Sequence, residues 1–182
     1  MQKVPDESAS RIPSSGFPPI LGDSPRALVL GTLPSQSSLA KLEYYGHPRN
    51  AFWPIMAALF GATGSYEERC NAIKERGIAV WDVLAESVRP GSMDADIDSR
   101  TARPNPIAEL VNANDSLGLV CFNGRKARQL FERLVGVDDM ARTVTFLDLP
   151  STSPAFAAMS LDDKTAAWRA ALAHALPELE HT

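Results

Sequence analysis

The sequence predicts an α/β fold in which helices cover both faces of a central, four-stranded parallel sheet. Two observations predict it: four short apolar runs of the buried-strand type recur along the chain, and a helical pattern follows each of them. Parallel strands need long crossover connections, which helices usually form, so this alternation favours a three-layer αβα sandwich. The 182 residues, 45% of them hydrophobic, supply one core of this size.

Each element has a local signal. The predicted strands are residues 27–30, 78–81, 117–122 and 144–149. Helices are predicted where apolar residues repeat at helical spacing, or where a cap residue precedes the repeat. These signals are the apolar face of Phe52, Ile55, Met56, Leu59 and Phe60, the Ser65–Glu68 capping box closed by Gly77, the Asn105 cap before Pro106, the face of Ala127, Leu130, Phe131 and Leu134, and the Ser160 cap before Trp168.

Composition bounds the organisation and the partners. Residues 1–15 are rich in proline and serine and are predicted to form a flexible arm, which leaves residues 16–182 as a single domain. No apolar run reaches the roughly 18 residues of a membrane span, and no secretory signal is visible, so a cytoplasmic monomer that contacts no membrane is expected. Cys70 and Cys121 are too few for an iron–sulfur cluster, and no other metal-ligand spacing occurs, so no metal or cofactor is expected.

The net charge of −4 argues against a broad nucleic-acid coat, because such binding depends on many Lys and Arg side chains. It still allows a few phosphates to be held by local groups. The candidates for such contacts are Arg49, Arg125 in the NGRK segment, and Ser151, Ser153 and Pro154 in the loop after the last predicted strand. Each has an ordinary alternative, since a solvated helix start or a turn would use the same residues.

The most unusual segment is residues 31–53, a long connection after the first strand. It contains Tyr44, Tyr45, His47 and Asn50. Asn50 stands just before an apolar helix, so it has the placement of a helix cap, and spacing alone favours that role. The tyrosines could pack in the core, and His47 has a structural interpretation as well.

Asp82 directly follows the second predicted strand, at the edge where parallel sheets place their working loops. A carboxylate there could bind a substrate. It could equally cap a turn or pair with Arg89, and the sequence leaves both interpretations open.

Together these motifs resemble the uracil-DNA glycosylase superfamily, and most closely its hypoxanthine-DNA (DNA-deoxyinosine) glycosylase branch. The resemblance runs in order through GFPP, RALVLGTLPS, YYGHPRNAFW, GIAVWDVLAESVRPGS, FNGRKA and LPSTSPA, which covers nearly all of residues 16–182. It implies a parallel sheet between helices, base flipping from DNA, and hydrolysis of the N-glycosidic bond without a metal. The substrate implied is DNA that contains deaminated bases, with hypoxanthine first among them.

The resemblance also implies roles for individual residues. Asn50 matches the catalytic asparagine of the hypoxanthine branch, Tyr45 the aromatic that stacks on the flipped base, and Asp82 a position that reads the base edge. Gly31 and Leu33 belong to the base-binding loop, and Leu33 replaces the polar residue that other branches use to activate water. Ser151 stands where other branches carry a His or Asn that stabilises the leaving group.

Two kinds of alternative follow from the same residues. A related enzyme could act on uracil or on G/U mismatches instead of hypoxanthine. A protein of another class could bind DNA lesions without cleaving them, or use the GTLPS loop to bind free nucleotides. Release of a base, which leaves an alkali-sensitive abasic site in DNA, separates the enzymes from the other two.

Overall fold

A computed structural model describes residues 13–181 of the chain, apart from residues 90, 92 and 99. Its centre is a parallel sheet of four strands, β2 (Ala27–Gly31), β3 (Ile78–Asp82), β6 (Leu119–Asn123) and β7 (Thr145–Leu149). The strand order is β3-β2-β6-β7. Every residue of β2, β3 and β6 is buried, as expected for strands covered on both faces. The predicted α/β fold with a four-stranded parallel sheet flanked by helices is therefore confirmed.

The helices are α1 (Gln36–Lys41), α2 (Phe52–Phe60), α3 (Tyr66–Glu75), α4 (Ile107–Asn112), α5 (Arg125–Leu134) and α6 (Leu161–Leu172). The chain moves one way across the sheet from β2 to β3 and the opposite way from β3 to β6 and β7. Because parallel crossovers are right-handed, these two directions place their helices on opposite faces. The direction reverses between β2 and β6, and the carboxyl ends of strands at such a switch point commonly hold the binding site.

Several predicted caps are present. Ser65 and Glu68 form the capping box of α3, and Gly77 follows that helix with a φ of 77°. Ser160 caps α6 by accepting a hydrogen bond from the backbone of Asp163. These devices depend on neighbours three residues apart, so a sequence pattern detects them.

The cap predicted at Asn105 is wrong. Pro106 occupies the cap position of α4, and the Asn105 side chain instead donates a 2.9 Å hydrogen bond to the backbone carbonyl of Asp82. The bond joins the start of α4 to the end of β3. Asn105 thus supports the sheet edge where the polar loops meet.

A second sheet was not predicted. Three short antiparallel strands, β1 (Ser14–Ser15), β4 (Leu84–Ser87) and β5 (Arg103–Pro104), pair in the order β1-β4-β5. Ser14 and Ser15, the end of the predicted flexible arm, pair with Ser87 and Glu86 and so belong to the folded unit. Residues 1–12 of that arm lie outside the described residues.

No helix in the described part of the chain is both long and apolar enough to cross a membrane. The core lies on both sides of the parallel sheet and contains Trp168, Phe52 and Phe122 among its largest fully buried side chains. Trp168 fixes α6 to the end of β7, since its indole Nε1 donates a 3.0 Å hydrogen bond to the carbonyl of Pro150. This contact sets the start of the loop that follows β7.

Candidate active site

A cavity of about 300 Å³ opens at the carboxyl ends of β2, β3 and β6. This is a size at which small-molecule sites begin. Residues from six separate segments of the chain line it: Gly31, Thr32, Leu33, Pro34, Ser35, Ser38, Tyr44, Tyr45, Asn50, Asp82, Arg89, Met93, Asp94, Ala95, Asn123, Ser151, Thr152, Ser153, Ala155 and Phe156. The structure therefore brings together seven residues that the sequence singled out, namely Gly31, Leu33, Tyr45, Asn50, Asp82, Ser151 and Ser153.

The floor of the cavity is built around Gly31. A Cβ atom at this position would lie 2.5 Å from Asp82 Oδ1 and 3.1 Å from the Tyr45 hydroxyl oxygen. A side chain would therefore collide with the carboxylate, and glycine is required here because two polar groups approach the backbone closely. Gly31 pairs with Asp82 across β2 and β3, so the sheet itself holds the carboxylate in place.

Asp82 is buried, and its Oδ2 atom has no hydrogen-bond partner in the described part of the chain. Burial, with a further contribution from the negative charge of Asp94, raises the pKa of Asp82 from 3.8 to about 7, while Arg89 acts in the opposite direction. Among the described residues Asp82 forms neither the ion pair with Arg89 nor the turn cap that the sequence allowed. It remains a buried carboxyl group that faces a cavity without a cation against it.

Arg89 has a different role. Its guanidinium donates to the backbone carbonyl of Leu33 at 3.2 Å and also to that of Pro34, and Nη1 lies 3.9 Å from Asp94 Oδ1. The Thr32 hydroxyl donates to the same Asp94 oxygen at 2.6 Å. These contacts fix the loop after β2, so the backbone around Leu33 forms a firm wall of the cavity.

Tyr45 points into the cavity from a strained backbone. Its φ of 54° lies in the left-handed region, which costs a non-glycine residue about 1 kcal/mol. One face of its ring stacks on Phe52, with centroids 4.1 Å apart and planes 24° apart. The hydroxyl is buried and has no hydrogen-bond partner in the described part of the chain. Burial, assisted by the charge of Asp82, raises the pKa of Tyr45 further above its ordinary value against a smaller opposing effect of the Asn123 side chain, so the hydroxyl keeps its proton at neutral pH.

Asn50 lines the cavity while its side chain also supports α2. The formal cap position belongs to Ala51, which makes no side-chain cap. Asn50 Oδ1 accepts a 2.9 Å hydrogen bond from the backbone N–H of Phe52, the first residue of the helix. Because a carbonyl oxygen has two lone pairs, Oδ1 can accept a second hydrogen bond beside the one from Phe52. Both hydrogens of the amide group also remain available to donate. The structural and functional interpretations of Asn50 are thus compatible.

Sequence reasoning missed the side chain of Asn123. It is buried at the end of β6, where Nδ2 donates to the Thr152 hydroxyl at 2.8 Å and Oδ1 accepts from the Thr152 backbone at 2.9 Å. The Thr152 carbonyl in turn accepts a 2.9 Å bond from Ala51. This network joins the loop after β6, the loop after β7 and the start of α2. An amide directly after a buried strand was the signal that could have identified it.

The loop after β7 forms another wall. Ser151 Oγ accepts a 3.2 Å bond from the backbone of Ser153, and Ser153 Oγ accepts one from Ala155 at the same distance. Both hydroxyls therefore stabilise turns, as the alternative interpretation allowed. The buried Lys164 of α6 donates a 2.7 Å bond to the carbonyl of Phe156, which ties the far end of this loop to the helix.

Arg49 and Arg125 are exposed and do not line the cavity, and Pro154 is half-buried beside it. Within the described part of the chain no group of three or more His, Cys, Asp or Glu side chains could hold a metal ion. His47 Nδ1 accepts a 3.1 Å bond from the backbone of Arg49, which agrees with its structural interpretation.

Comparison with known proteins shows which family the chain matches. The family model for the uracil DNA glycosylase superfamily matches residues 18–176. Among characterised relatives, a protein named hypoxanthine DNA glycosylase from Methanosarcina acetivorans is 33% identical over 87% of the chain and 98% of its own length. A protein of the same name from Methanosarcina barkeri is 36% identical over 62% of the chain and 72% of its own length.

A solved structure agrees. The solution NMR structure of a Methanosarcina acetivorans protein, described as a uracil DNA glycosylase, superposes with a TM-score of 0.74. It is 33% identical in sequence, and the match covers 93% of the chain and all of that protein. The fold of the chain is thus shared with a relative of known structure.

Proposed function

The chain belongs to the uracil DNA glycosylase superfamily, and from this premise we propose that it is a monofunctional DNA glycosylase that releases hypoxanthine from DNA. The names of its relatives from two Methanosarcina species support this substrate. The observation that carries the proposal is the buried Asp82 carboxyl group on the floor of a cavity whose wall holds Asn50. DNA is the substrate, and the product is an abasic site, the first intermediate of base excision repair.

The target base must leave the duplex before it can reach this cavity. Enzymes that act on bases in DNA rotate the nucleotide out of the stack and read it in a pocket. The flipped base would lie in this cavity beside Tyr45 and the loop that contains Gly31 and Leu33. The apolar Leu33 excludes water on one side, so the polar contacts of the base are left to the cavity floor.

Asp82 is the group that reads the base edge. Its ionised carboxylate accepts a hydrogen bond from N1–H of hypoxanthine, or from N3–H of uracil. Adenine and cytosine carry an unprotonated ring nitrogen at the equivalent position, which repels a carboxylate instead. Asp82 therefore favours deaminated bases over the two amino bases from which they form.

Hydrolysis then breaks the bond between C1′ of the sugar and N9 of the base. The bond electrons leave with the base while positive charge develops on the sugar, a water oxygen forms the new bond to C1′, and the proton that this water loses neutralises the departing base anion. Asn50 positions this water through the free lone pair of Oδ1, without taking its proton as a strong base would. No lysine is among the residues that line the cavity in the described part of the chain, which is consistent with direct attack by water.

Base release from defined oligonucleotides tests the proposal. Duplexes that carry a single deoxyinosine should yield alkali-sensitive abasic sites with the purified protein, and a chelator should leave the rate unchanged. Parallel duplexes with uracil, xanthine or a G/U mismatch, and the Asn50→Ala protein, are the matched controls. Release of uracil alone would make the chain a uracil or mismatch glycosylase, and binding without release of any base would make it a lesion-binding protein.

We also propose that a monomer contacts DNA locally, through Arg49, Arg125 and the loop of Ser151, Ser153 and Pro154. The cavity is complete within one chain, and the net charge of −4 leaves little surface for an extended footprint. The logarithm of affinity should fall with the logarithm of salt concentration by about 0.9 per phosphate contacted. Fluorescence anisotropy with labelled duplexes measures this slope, and a value that corresponds to ten or more phosphates would contradict local contact.

A further inference from the structure

Buried polar atoms without partners concentrate in the cavity. The described part of the chain contains four buried side-chain atoms that lack a hydrogen-bond partner, on Tyr45, Asp82, Arg89 and Arg142, and the first three residues line this one cavity. Leaving a buried polar group unsatisfied costs about 1–3 kcal/mol, so such groups are rare in folded proteins. Three of the four therefore lie at one cavity, where a bound base or a water has room to complete their hydrogen bonds.

We propose that the Tyr45 hydroxyl is a specificity-determining donor that binds the C6 carbonyl oxygen of the flipped hypoxanthine, beside the Asp82 carboxylate that accepts N1–H. This inference rests on the proposed function and assigns a partner to an atom that stacking of the ring leaves unexplained. Both groups approach the same point, since the Tyr45 oxygen and Asp82 Oδ1 lie 3.1 Å and 2.5 Å from the position of a Cβ on Gly31.

The Asn123 amide acts on the Tyr45 oxygen as a hydrogen-bond donor, which leaves the hydroxyl proton without an acceptor in the described part of the chain. Phe52 stacks on one face of the ring, and the backbone of Tyr45 has a φ of 54° in the left-handed region. The Tyr44 hydroxyl, by contrast, donates to the carbonyls of Phe17 and Pro18 at 3.2 and 3.1 Å. Adjacent tyrosines therefore have different uses: Tyr44 is satisfied within the fold, and Tyr45 offers its proton to the cavity.

The chemistry of the two groups matches the lactam edge of a deaminated base. Hypoxanthine and uracil place a ring N–H next to a carbonyl oxygen, so they need one acceptor and one donor side by side. Adenine presents the reverse order, with a ring acceptor next to an amino group. Guanine shares the lactam edge, so its exclusion depends on its 2-amino group and on its stronger pairing with cytosine.

The same hydrogen bond assists the reaction. As the bond to the sugar breaks, negative charge spreads over the departing base and reaches the C6 oxygen. A donor fixed at this oxygen therefore binds the transition state more strongly than the substrate. Tyr45 would in this way supply part of the leaving-group stabilisation for which Ser151 offers no charged or amide side chain.

Substituted bases provide the test. Single-turnover release is measured for the wild-type and Tyr45→Phe proteins on duplexes with deoxyinosine and with its 6-thio analogue, in which sulfur is a weak acceptor. Tyr45→Phe should slow release from deoxyinosine by about tenfold to a hundredfold, the effect of losing one buried hydrogen bond to substrate. It should slow release of the 6-thio base by no more than about threefold, because that bond is already weak in the wild-type protein.

Stability separates this role from packing. Tyr45→Phe removes an unsatisfied buried hydroxyl and keeps the ring, so its melting temperature should equal or exceed that of the wild-type protein. The matched control is Tyr66→Phe, which removes a tyrosine hydroxyl outside the cavity that accepts a 3.0 Å bond from the backbone of Tyr44. That variant should be slightly less stable, with base release unchanged.

Three outcomes would overturn the inference. Tyr45→Phe could release hypoxanthine at the wild-type rate, which would reduce Tyr45 to a stacking surface. It could slow both substrates equally, which would indicate a general packing role. A wild-type protein that releases no hypoxanthine would overturn the proposed function itself and this inference with it, and the wild-type reaction on deoxyinosine identifies that case before any variant is compared.

Discussion

Asn50→Ala is expected to slow the single-turnover release of hypoxanthine by about 10²–10³, the scale for removing one well-placed polar group from an active site. The reason is geometric. Asn50 lines the cavity, and its Oδ1 is held by the 2.9 Å hydrogen bond from the backbone of Phe52. Because the amide is already fixed in this way, it can hold a water molecule at the sugar, and ordering of the side chain adds nothing to the activation barrier. Alanine leaves the water without a partner on that wall.

The same substitution also removes support for α2, so its effect on stability must be measured separately. Loss of a capping hydrogen bond costs about 1 kcal/mol of the free energy of unfolding. Ser65→Ala is the matched control, because Ser65 caps α3 outside the cavity by accepting a bond from the backbone of Glu68. It should lower stability by a similar amount and leave base release unchanged.

Asn50→Ser distinguishes the two roles of the side chain. Serine can accept the hydrogen bond from Phe52, but its hydroxyl is too short to hold water at the sugar as well. The serine variant should therefore be nearly as stable as the wild-type protein and as slow as the alanine variant. A serine variant that is both stable and fast would show that Asn50 only supports the helix.

The strands and most caps could be predicted because their causes are local. A run such as residues 27–30 has no polar side chain to expose, so it must be buried on both faces wherever the chain places it. The Ser65–Glu68 box closes over three residues. The second sheet has no such signal, since β1 pairs with β4 across about 70 positions of the chain and each strand is only two to four residues long.

The candidate site was predictable in position and less so in its contacts. Polar residues directly after buried strands, such as Asp82, meet at one edge of any parallel sheet, so their proximity follows from topology. The hydrogen-bond and ion-pair partners of these residues do not follow from topology. An ion pair with Arg89 was one of the interpretations left open for Asp82, but the turn after β2 presents carbonyls of Leu33 and Pro34 that accept hydrogen bonds from the same guanidinium. The Asn123–Thr152 pair depends on a loop crossing that spacing along the chain cannot reveal.

Asp82→Asn is expected to stabilise the protein by a few kcal/mol at pH 8 while it impairs recognition of the base. The pKa of Asp82 is raised from 3.8 to about 7 by burial and by the charge of Asp94, with Arg89 opposing. Between these two values the unfolded chain binds fewer protons at this residue than the folded protein does. Stability therefore falls as the pH rises from about 4 to about 7, and the loss is complete above pH 7.

The amide of Asn carries no charge at any of these pH values. The stability of the Asp82→Asn protein should therefore not fall as the pH rises. Chemical denaturation of the two proteins at pH 5 and pH 8 measures the difference, which should be small at pH 5 and largest at pH 8. A variant that is less stable than the wild-type protein at pH 8 would mean that the carboxylate is paired in solution, and Asp82 would then be a structural residue.

The expected effect on base release depends on the same ionisation of Asp82. The ionised carboxylate accepts N1–H more strongly than the protonated acid does, so wild-type release of hypoxanthine should increase between pH 6 and pH 8 with a midpoint near 7, the pKa of Asp82. Asp94 and Arg89, the charged groups that act on Asp82, are both retained in the variant. Asp82→Asn should show no such rise, and its rate ratio for hypoxanthine over adenine should fall by about tenfold, since an amide can present either a donor or an acceptor to the base. Equal loss on every base, with an unchanged pH profile, would contradict the assignment of Asp82 as the residue that distinguishes deaminated bases.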